Sequence, residues 1–338
     1  MPSWNELLDA FSRQPNGGAW LQAETIAQLE RVSTLSDGRN VVLYGSAFLQ
    51  KPQAPPDRIS LVHDDLNGLM SAIYGMDWSR GLTLILHTPG GVTNAAETIV
   101  AYLRSKFSDI DVVVPTLAMS AGTMIALASD SIVMGKQSQL GPIDPQMPIA
   151  GRSVSARAVV EQFGQAHGDI LSNPQAAHVW APILASLGPA LLQEAQNALA
   201  YSEEMVARWL SSGMLKDAAE PEKEAQRVAR HFNDAQTHKS HGRRIDRDEA
   251  RAHGVLVNDL EDSQDLQDAV LTAYHLMNLG HDHGPATKII ATSHGRTWIK
   301  NWMSHEYLEL QSPQPPPGGV PQAPQQQNRA QRRAQKKR

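Results

Sequence analysis

The chain has 338 residues, 41% of them hydrophobic, and no cysteine, so it can bury a sizeable core but holds no disulfide, thiolate metal site or cysteine nucleophile. Its formal net charge is −5 at pH 7, which gives no overall attraction to a polyanion. The most apolar stretch, around Leu117 to Ala128, carries Ser120, Gly122 and Thr123 and falls short of the ~20 apolar residues of a membrane span.

The start, "MPSWNELLDAFSRQPNGG", has neither the basic region nor the apolar region of a secretory signal, so the expected location is cytoplasmic, without membrane contact. Leu7, Leu8, Phe11, Leu21, Ile26, Leu29 and Val32 form apolar stripes that predict helix over residues 3 to 33. "VVLYGSAFL" (41 to 49) reads as a strand, the proline-rich "QKPQAPPDR" as a loop, and "SLVHDDLNGLMSAIYGM" as a helix with Asp64 and Asp65 near its start. "LTLILH" (82 to 87) is a buried-type strand. A helix over 92 to 107 follows, with Val92, Ala95, Ala96, Ile99, Val100, Leu103 and Phe107 on one face, and then a second strand, "DVVVPTL" (111 to 117). A helix from Ala121 to Ala128 and the strand-like "SIVMG" continue the alternation. Strands alternating with helices predict an α/β fold with a parallel sheet, repeated βαβ units and flanking helices.

Beyond "QLGPIDPQMP" the pattern changes to long helices, roughly 153 to 166, 174 to 213 and 221 to 236, broken near Gly188-Pro189. They suit an oligomer surface or a cover over a site. "GRRIDRDEARAHGVLVNDLED" predicts a short strand, a helix from Arg247 to His253 and another strand. From Gln311 the Pro- and Gln-rich composition cannot build a core. The expected organisation is a helical segment over 1–38, a core over 39–152, a helical extension with a returning β/α segment over 153–310, and a disordered basic tail over 311–338.

Two strand exits carry the chemistry. Gly90 and Gly91 in "LILHTPGG" have no Cβ, so the backbone there can approach a ligand and present N–H groups. Ser120 in "PTLAMSAGTMIALASD" stands at the start of the following helix, where unpaired N–H groups stabilise developing negative charge. Serine at a helix start commonly does no more than cap it, and a glycine pair after a strand is commonly a turn. On adjacent strand exits of one parallel sheet, however, they have the parts of a serine nucleophile beside an oxyanion hole.

"TPGGVTNAAETIVAYL" resembles the glycine loop and following helix of the Clp protease proteolytic subunit and of signal peptide peptidase A, and "AMSAGTMIALASDSIVM" resembles their nucleophile helix and next strand. "LHTPGG", "AMSAGT" and "LGPIDPQ" in this order most closely resemble the serine dehydrogenase proteinase family, a branch of the Clp/crotonase-like fold. "GRNVVLYGSAFLQK" and "RIDRDEARAHGV" are similar to that family as well. The resemblance implies an intracellular serine peptidase acting on peptides or unfolded protein through an acyl-enzyme. Ser120 is then the nucleophile, and the backbone N–H groups of Gly91 and Ala121 form the oxyanion hole. It also implies a homo-oligomer.

The general base departs from the resemblance. Where the Clp subunit has a histidine, this chain has Asp144, a poor base unless burial raises its pKa. Where signal peptide peptidase A has a lysine, this chain has Gly168 with His167 beside it, and no lysine occurs from 137 to 215. His167, with an imidazole suited to neutral pH, Lys136 and Asp144 remain as candidates, with Asp144 also able to orient a base. His87, which precedes the glycine loop, is expected to pack or hydrogen-bond and so fix it.

No cofactor or metal is expected. His238 and His241, and the trio His281, Asp282 and His283, are read as exposed loop residues, since neither group offers a helical ligand pair with a nearby glutamate base. The last ten residues hold six basic groups, which leaves −11 on the remainder. Such a tail suits RNA, DNA or an acidic partner, or serves as a solubilising end. Two other functions share the fold: an acyl-CoA enzyme of the crotonase kind, and a non-catalytic scaffold without a working base.

Overall fold

The structure is a computed structural model that describes residues 1–188 and 190–303; the expected tail, 311–338, lies outside the described residues. In chain order the strands are β1 (Asn40–Ser46), β2 (Leu82–His87), β3 (Ile110–Val114), β4 (Leu117–Ala118), β5 (Ser131–Met134), β6 (Gln139–Leu140), β7 (Gln146–Ile149), β8 (Arg152–Ser155), β9 (Val257–Asp259), β10 (Ala286–Thr292) and β11 (Thr297–Asn301). Seven of them form one sheet in the order β11-β10-β1-β2-β3-β5-β9. β1, β2, β3, β5 and β9 run parallel.

Every residue of β1 and β2 is buried, which is why "VVLY" and "LILH" read as continuous apolar runs rather than alternating ones. The pleat still sorts them by face. Val41, Leu43, Ile85 and Val113 point to one side, where they pack with Leu29 and Val32 of α2 (Gly17–Leu35) and with Ala269, Val270, Ala273 and Met277 of a long C-terminal helix, Gln264–His283. Val42, Leu84, Leu86, Val112 and Val114 point to the other, onto α3 (Asp65–Ile73), α4 (Thr93–Arg104) and α5 (Ala121–Leu127). α1 (Trp4–Ser12) opens on a capping box between Ser3 and Glu6 and packs near α2. On α4 the buried residues are Ala95, Ala96, Ile99, Val100 and Leu103, the stripe expected from spacing, while Val92 stands outside the helix at its N-cap and is exposed.

After β8 the chain makes a helical excursion: α6 (Ala156–Ser172), α7 (Ala177–Ala185), α8 (Leu191–Ser212) and α9 (Pro221–Phe232). The first half of α8 packs on α6 through Ala195 and Leu199 against Ala156 and Val159. Its second half, with Met205, Val206 and Leu210, joins the main core together with Val228 and Phe232 of α9. The chain returns through α10 (Arg247–Ala252) to β9, and the long C-terminal helix is α11. Of the short strand expected before α10, only a single bridge between Ile245 and Leu140 forms.

The sheet is not parallel throughout. β10 is antiparallel to both β1 and β11; with β11 it forms a hairpin through a tight turn at Gly295 (φ 79°), a connection that needs no crossover. Among the described residues no helix is long and apolar enough to cross a membrane.

Candidate active site

The glycine loop is clamped from two sides. Thr88 bridges Ala118, with Thr88 N–H donating to the Leu117 carbonyl (3.0 Å) and Met119 N–H to the Thr88 carbonyl (3.1 Å). On the other side Leu61 N–H donates to the Gly90 carbonyl (2.7 Å) and Val92 N–H to the Leu61 carbonyl (2.9 Å). Both glycines are required by this squeeze. A Cβ on Gly90 (φ 95°) would stand 2.6 Å from the Met119 carbonyl oxygen and 2.7 Å from Ser120 Cβ, and one on Gly91 would stand 2.1 Å from the Leu61 carbonyl oxygen. The same distances put Gly90 directly against Ser120.

Ser120 occupies the N-cap position of α5 at φ 51°, ψ −115°, and its side chain caps nothing. A serine at that φ is strained by about 1–3 kcal/mol and persists only where the surroundings impose it. Its Oγ makes no hydrogen bond among the described residues, and the residue is half-buried. Among the described residues the backbone N–H groups of Gly91 and Ala121 also donate to nothing. A half-open serine hydroxyl thus shares its neighbourhood with two unengaged donors, the parts needed to hold a tetrahedral oxyanion. Gly91→Ala is expected to lower acyl transfer by roughly 10²–10³-fold through displacement of one donor. Steady-state hydrolysis against the parent protein checks this; an unimpaired variant places the oxyanion elsewhere.

Asp144 is buried, at 2% exposure, and its two oxygens are both engaged: Oδ1 with His241 Nδ1 (2.7 Å) and Oδ2 with Gln146 Nε2 (2.7 Å). The segment preceding Asp144 is stitched to the start of α5. Gly141 N–H donates to Thr123 Oγ1 (2.9 Å), whose hydroxyl donates to the Ala118 carbonyl (2.7 Å), and a Cβ on Gly141 would meet Met119 Cε at 2.6 Å. Leu140 and Ile245 exchange both backbone hydrogen bonds at 2.9 Å, so residues 241–245 run beside 140–144. A carboxylate on Nδ1 places the proton there and leaves Nε2 as the free acceptor of His241.

The other sequence candidates are placed differently. Lys136 is exposed, with only its backbone engaged, its N–H on Glu261 and its carbonyl on Arg244. His167 is exposed on α6. Among the described residues neither side chain hydrogen-bonds to Ser120, Asp144 or His241. His87 is fully buried with Nδ1 on Thr116 Oγ1 (3.0 Å), between the rings of Phe48 and Tyr274. Burial, with His281 adding to it, pushes its pKa down to about 3, so it is a neutral anchor behind the loop. The reading of loop histidines as exposed is corrected at three positions: His238 and His281 are buried, held on the carbonyls of His231 (2.7 Å) and Ala286 (3.1 Å), and His241 is half-buried against Asp144.

Residues 60–172 match the ClpP-like SDH-type serine proteinases. That segment, about a third of the chain, is similar to this family. It contains Gly91, Ser120, Ala121 and Asp144, as well as Lys136 and His167, whereas His241 lies beyond it. Two relatives come from Methanocaldococcus jannaschii: uncharacterized protein MJ0137, 42% identical over 84 residues, and uncharacterized protein MJ1495, 39% identical over 84 residues. Each match covers 25% of this chain and 29% of the relative, so the chain spans less than a third of the length of the curated relatives it matches. Among solved structures, a serine-to-alanine variant of the 1510-N membrane-bound stomatin-specific protease is 17% identical. It covers 59% of this chain and 75% of its own, at a TM-score of 0.35. A lysine-to-alanine variant of the same protease, in complex with a substrate peptide, is 16% identical and covers 74% and 91%, also at 0.35. The matched segment thus holds the glycine loop, the serine and the buried aspartate.

Proposed function

We propose that the protein is a serine peptidase in which Ser120 attacks the scissile carbonyl, Gly91 and Ala121 N–H groups hold the oxyanion, and His241, oriented by Asp144, is the general base. The observation that carries this reading is the strained, uncapping Ser120 pressed against Gly90, with two unengaged N–H donors around it. In the first half-reaction His241 Nε2 takes the Ser120 proton as the Oγ–C bond forms, then gives it to the leaving amine as the C–N bond breaks. In the second half-reaction water, deprotonated by the same nitrogen, attacks the acyl-enzyme and releases the carboxylic acid and Ser120. Asp144 keeps the proton on Nδ1 and stabilises the imidazolium; its burial excludes competing water.

A fluorophosphonate probe tests the assignment. Mass spectrometry of the labelled protein is expected to find the adduct on Ser120. His241→Gln is expected to slow labelling by about 10³–10⁴-fold at neutral pH, with partial recovery at high pH where hydroxide replaces the base. His167→Gln and Lys136→Met are expected to label normally. A slow Lys136 or His167 variant beside a normal His241 variant transfers the role of base. An unlabelled protein that binds a CoA thioester saturably returns the site to acyl-CoA chemistry.

A further inference from the structure

Three side chains that the peptidase chemistry does not use converge where α9 ends and α10 begins. His231 stands in the last turn of α9, Glu249 on α10, and His253 at the C-cap of α10. Glu249 and His253 are four residues apart, one helical turn, and so share a face. One potential ligand atom from each of the three lies within 4.8 Å of the other two. His231 Nε2 is 3.5 Å from Glu249 Oε1, and it is buried without a hydrogen-bond partner among the described residues. The His231 and His253 rings stack, 3.4 Å between centroids and 8° between planes.

The surroundings hold this group in place. Arg243 clasps Glu249 through two hydrogen bonds (2.6 and 3.0 Å) and also meets His238 Nδ1 (2.9 Å), while His238 Nε2 lies on the His231 carbonyl. An orphaned buried imidazole nitrogen aimed at a carboxylate is costly unless something joins the two. Two imidazoles and one carboxylate form a donor set for zinc, cobalt or nickel, whereas calcium and magnesium take oxygen ligands. Tetrahedral ligand atoms at ~2.0–2.1 Å from zinc stand about 3.3 Å apart, so closing the group around an ion requires the His231 and His253 rings to turn out of their stack. Arg243 then acts as the outer partner that orients the carboxylate.

We propose that His231, Glu249 and His253 bind a divalent transition-metal ion of the zinc type, with water completing its coordination. The ion ties α9 to α10 and so fixes both ends of segment 233–246, the loop on which His241 reaches Asp144. The site stands apart from the peptidase reading, because binding is measured without turnover.

The test uses the full chain after treatment with a chelator, titrated calorimetrically with zinc chloride and spectroscopically with cobalt chloride. The expected result is one ion bound per chain at this group, with the visible absorption of low-coordinate cobalt. His231→Gln and His253→Gln are each expected to weaken binding by more than the ~10–100-fold that accompanies loss of an outer partner. Glu249→Gln is expected to weaken it as well, and His178→Gln, at an exposed position on α7, to leave it unchanged. Circular dichroism confirms folding, and if His231→Gln fails to fold, the partly exposed His253 decides alone. Absence of stoichiometric binding, or binding that survives loss of His253 at full strength, overturns the proposal.

Discussion

Ser120→Ala is expected to abolish fluorophosphonate labelling and to lower peptide hydrolysis on the order of 10⁶-fold in kcat, the scale seen when the nucleophile of a serine peptidase is removed. The fold is expected to survive. Ser120 Oγ caps no N–H group of α5, so no helix contact is lost with it. Alanine has the same Cβ as serine and carries the same backbone strain at φ 51°, so the position relative to Gly90 does not change. A fluorogenic peptide assay beside a thermal melt separates the two quantities. A folded variant that keeps parental hydrolysis places the nucleophile on another residue and ends the assignment.

The second large effect lies at a buried ion pair linked to the glycine loop through Val62 and Leu61. Lys288 on β10 and Asp65 on α3 are both fully buried, with Lys288 Nζ 2.8 Å from each Asp65 oxygen. The Tyr44 hydroxyl (3.0 Å) and Val62 N–H (2.8 Å) donate to Asp65 Oδ2, so the carboxylate has three kinds of donor around it. Lys288→Met is expected to cost about 3–5 kcal/mol, because it leaves a buried carboxylate without its counter-charge. That corresponds to a fall in melting temperature of roughly 10 °C. The loss reaches the site through one residue: Val62 adjoins Leu61, which brackets Gly90 and Val92. Urea denaturation of Lys288→Met beside Asp65→Leu combined with Lys288→Met is the decisive comparison. The double variant is expected to regain part of the stability, since no desolvated charge remains while the Tyr44 hydroxyl and Val62 N–H lose their acceptor. A single variant as stable as the parent contradicts the account.

The legible parts of this molecule are those whose cause is local. "LTLILH" declares β2 to the residue, and the 3–4 spacing of Ala95, Ala96, Ile99, Val100 and Leu103 declares the face of α4. Gly90, Gly91 and Ser120 are readable because tight turns and helix starts constrain residue type. His241 is not, because its partner Asp144 is 97 residues away and its own loop is polar. Nothing in "THKSHGRR" distinguishes a solvated histidine from one seated on a buried carboxylate. His238 and His281 are hidden differently: each meets a backbone carbonyl within seven residues, that of His231 or Ala286, and a carbonyl partner leaves no mark on residue type. "ATKIIAT" conceals β10 because Lys288 interrupts its apolar run, and only Asp65, 223 positions earlier, explains a buried lysine there.

Strand β1 borders β2 on one side and β10 on the other, and these two neighbours leave the ribosome at very different times. At ~5–20 residues per second, the interval between the end of β2 and the start of β10 takes roughly 10–40 s to synthesise. Throughout it, Val41 to Tyr44 present one row of unpaired N–H and carbonyl groups on an apolar ribbon, the kind of edge along which nascent chains join one another. Asp65 meanwhile waits for the cation that β10 will bring. The order of elements along the chain therefore leaves this side of β1 open until β10 arrives.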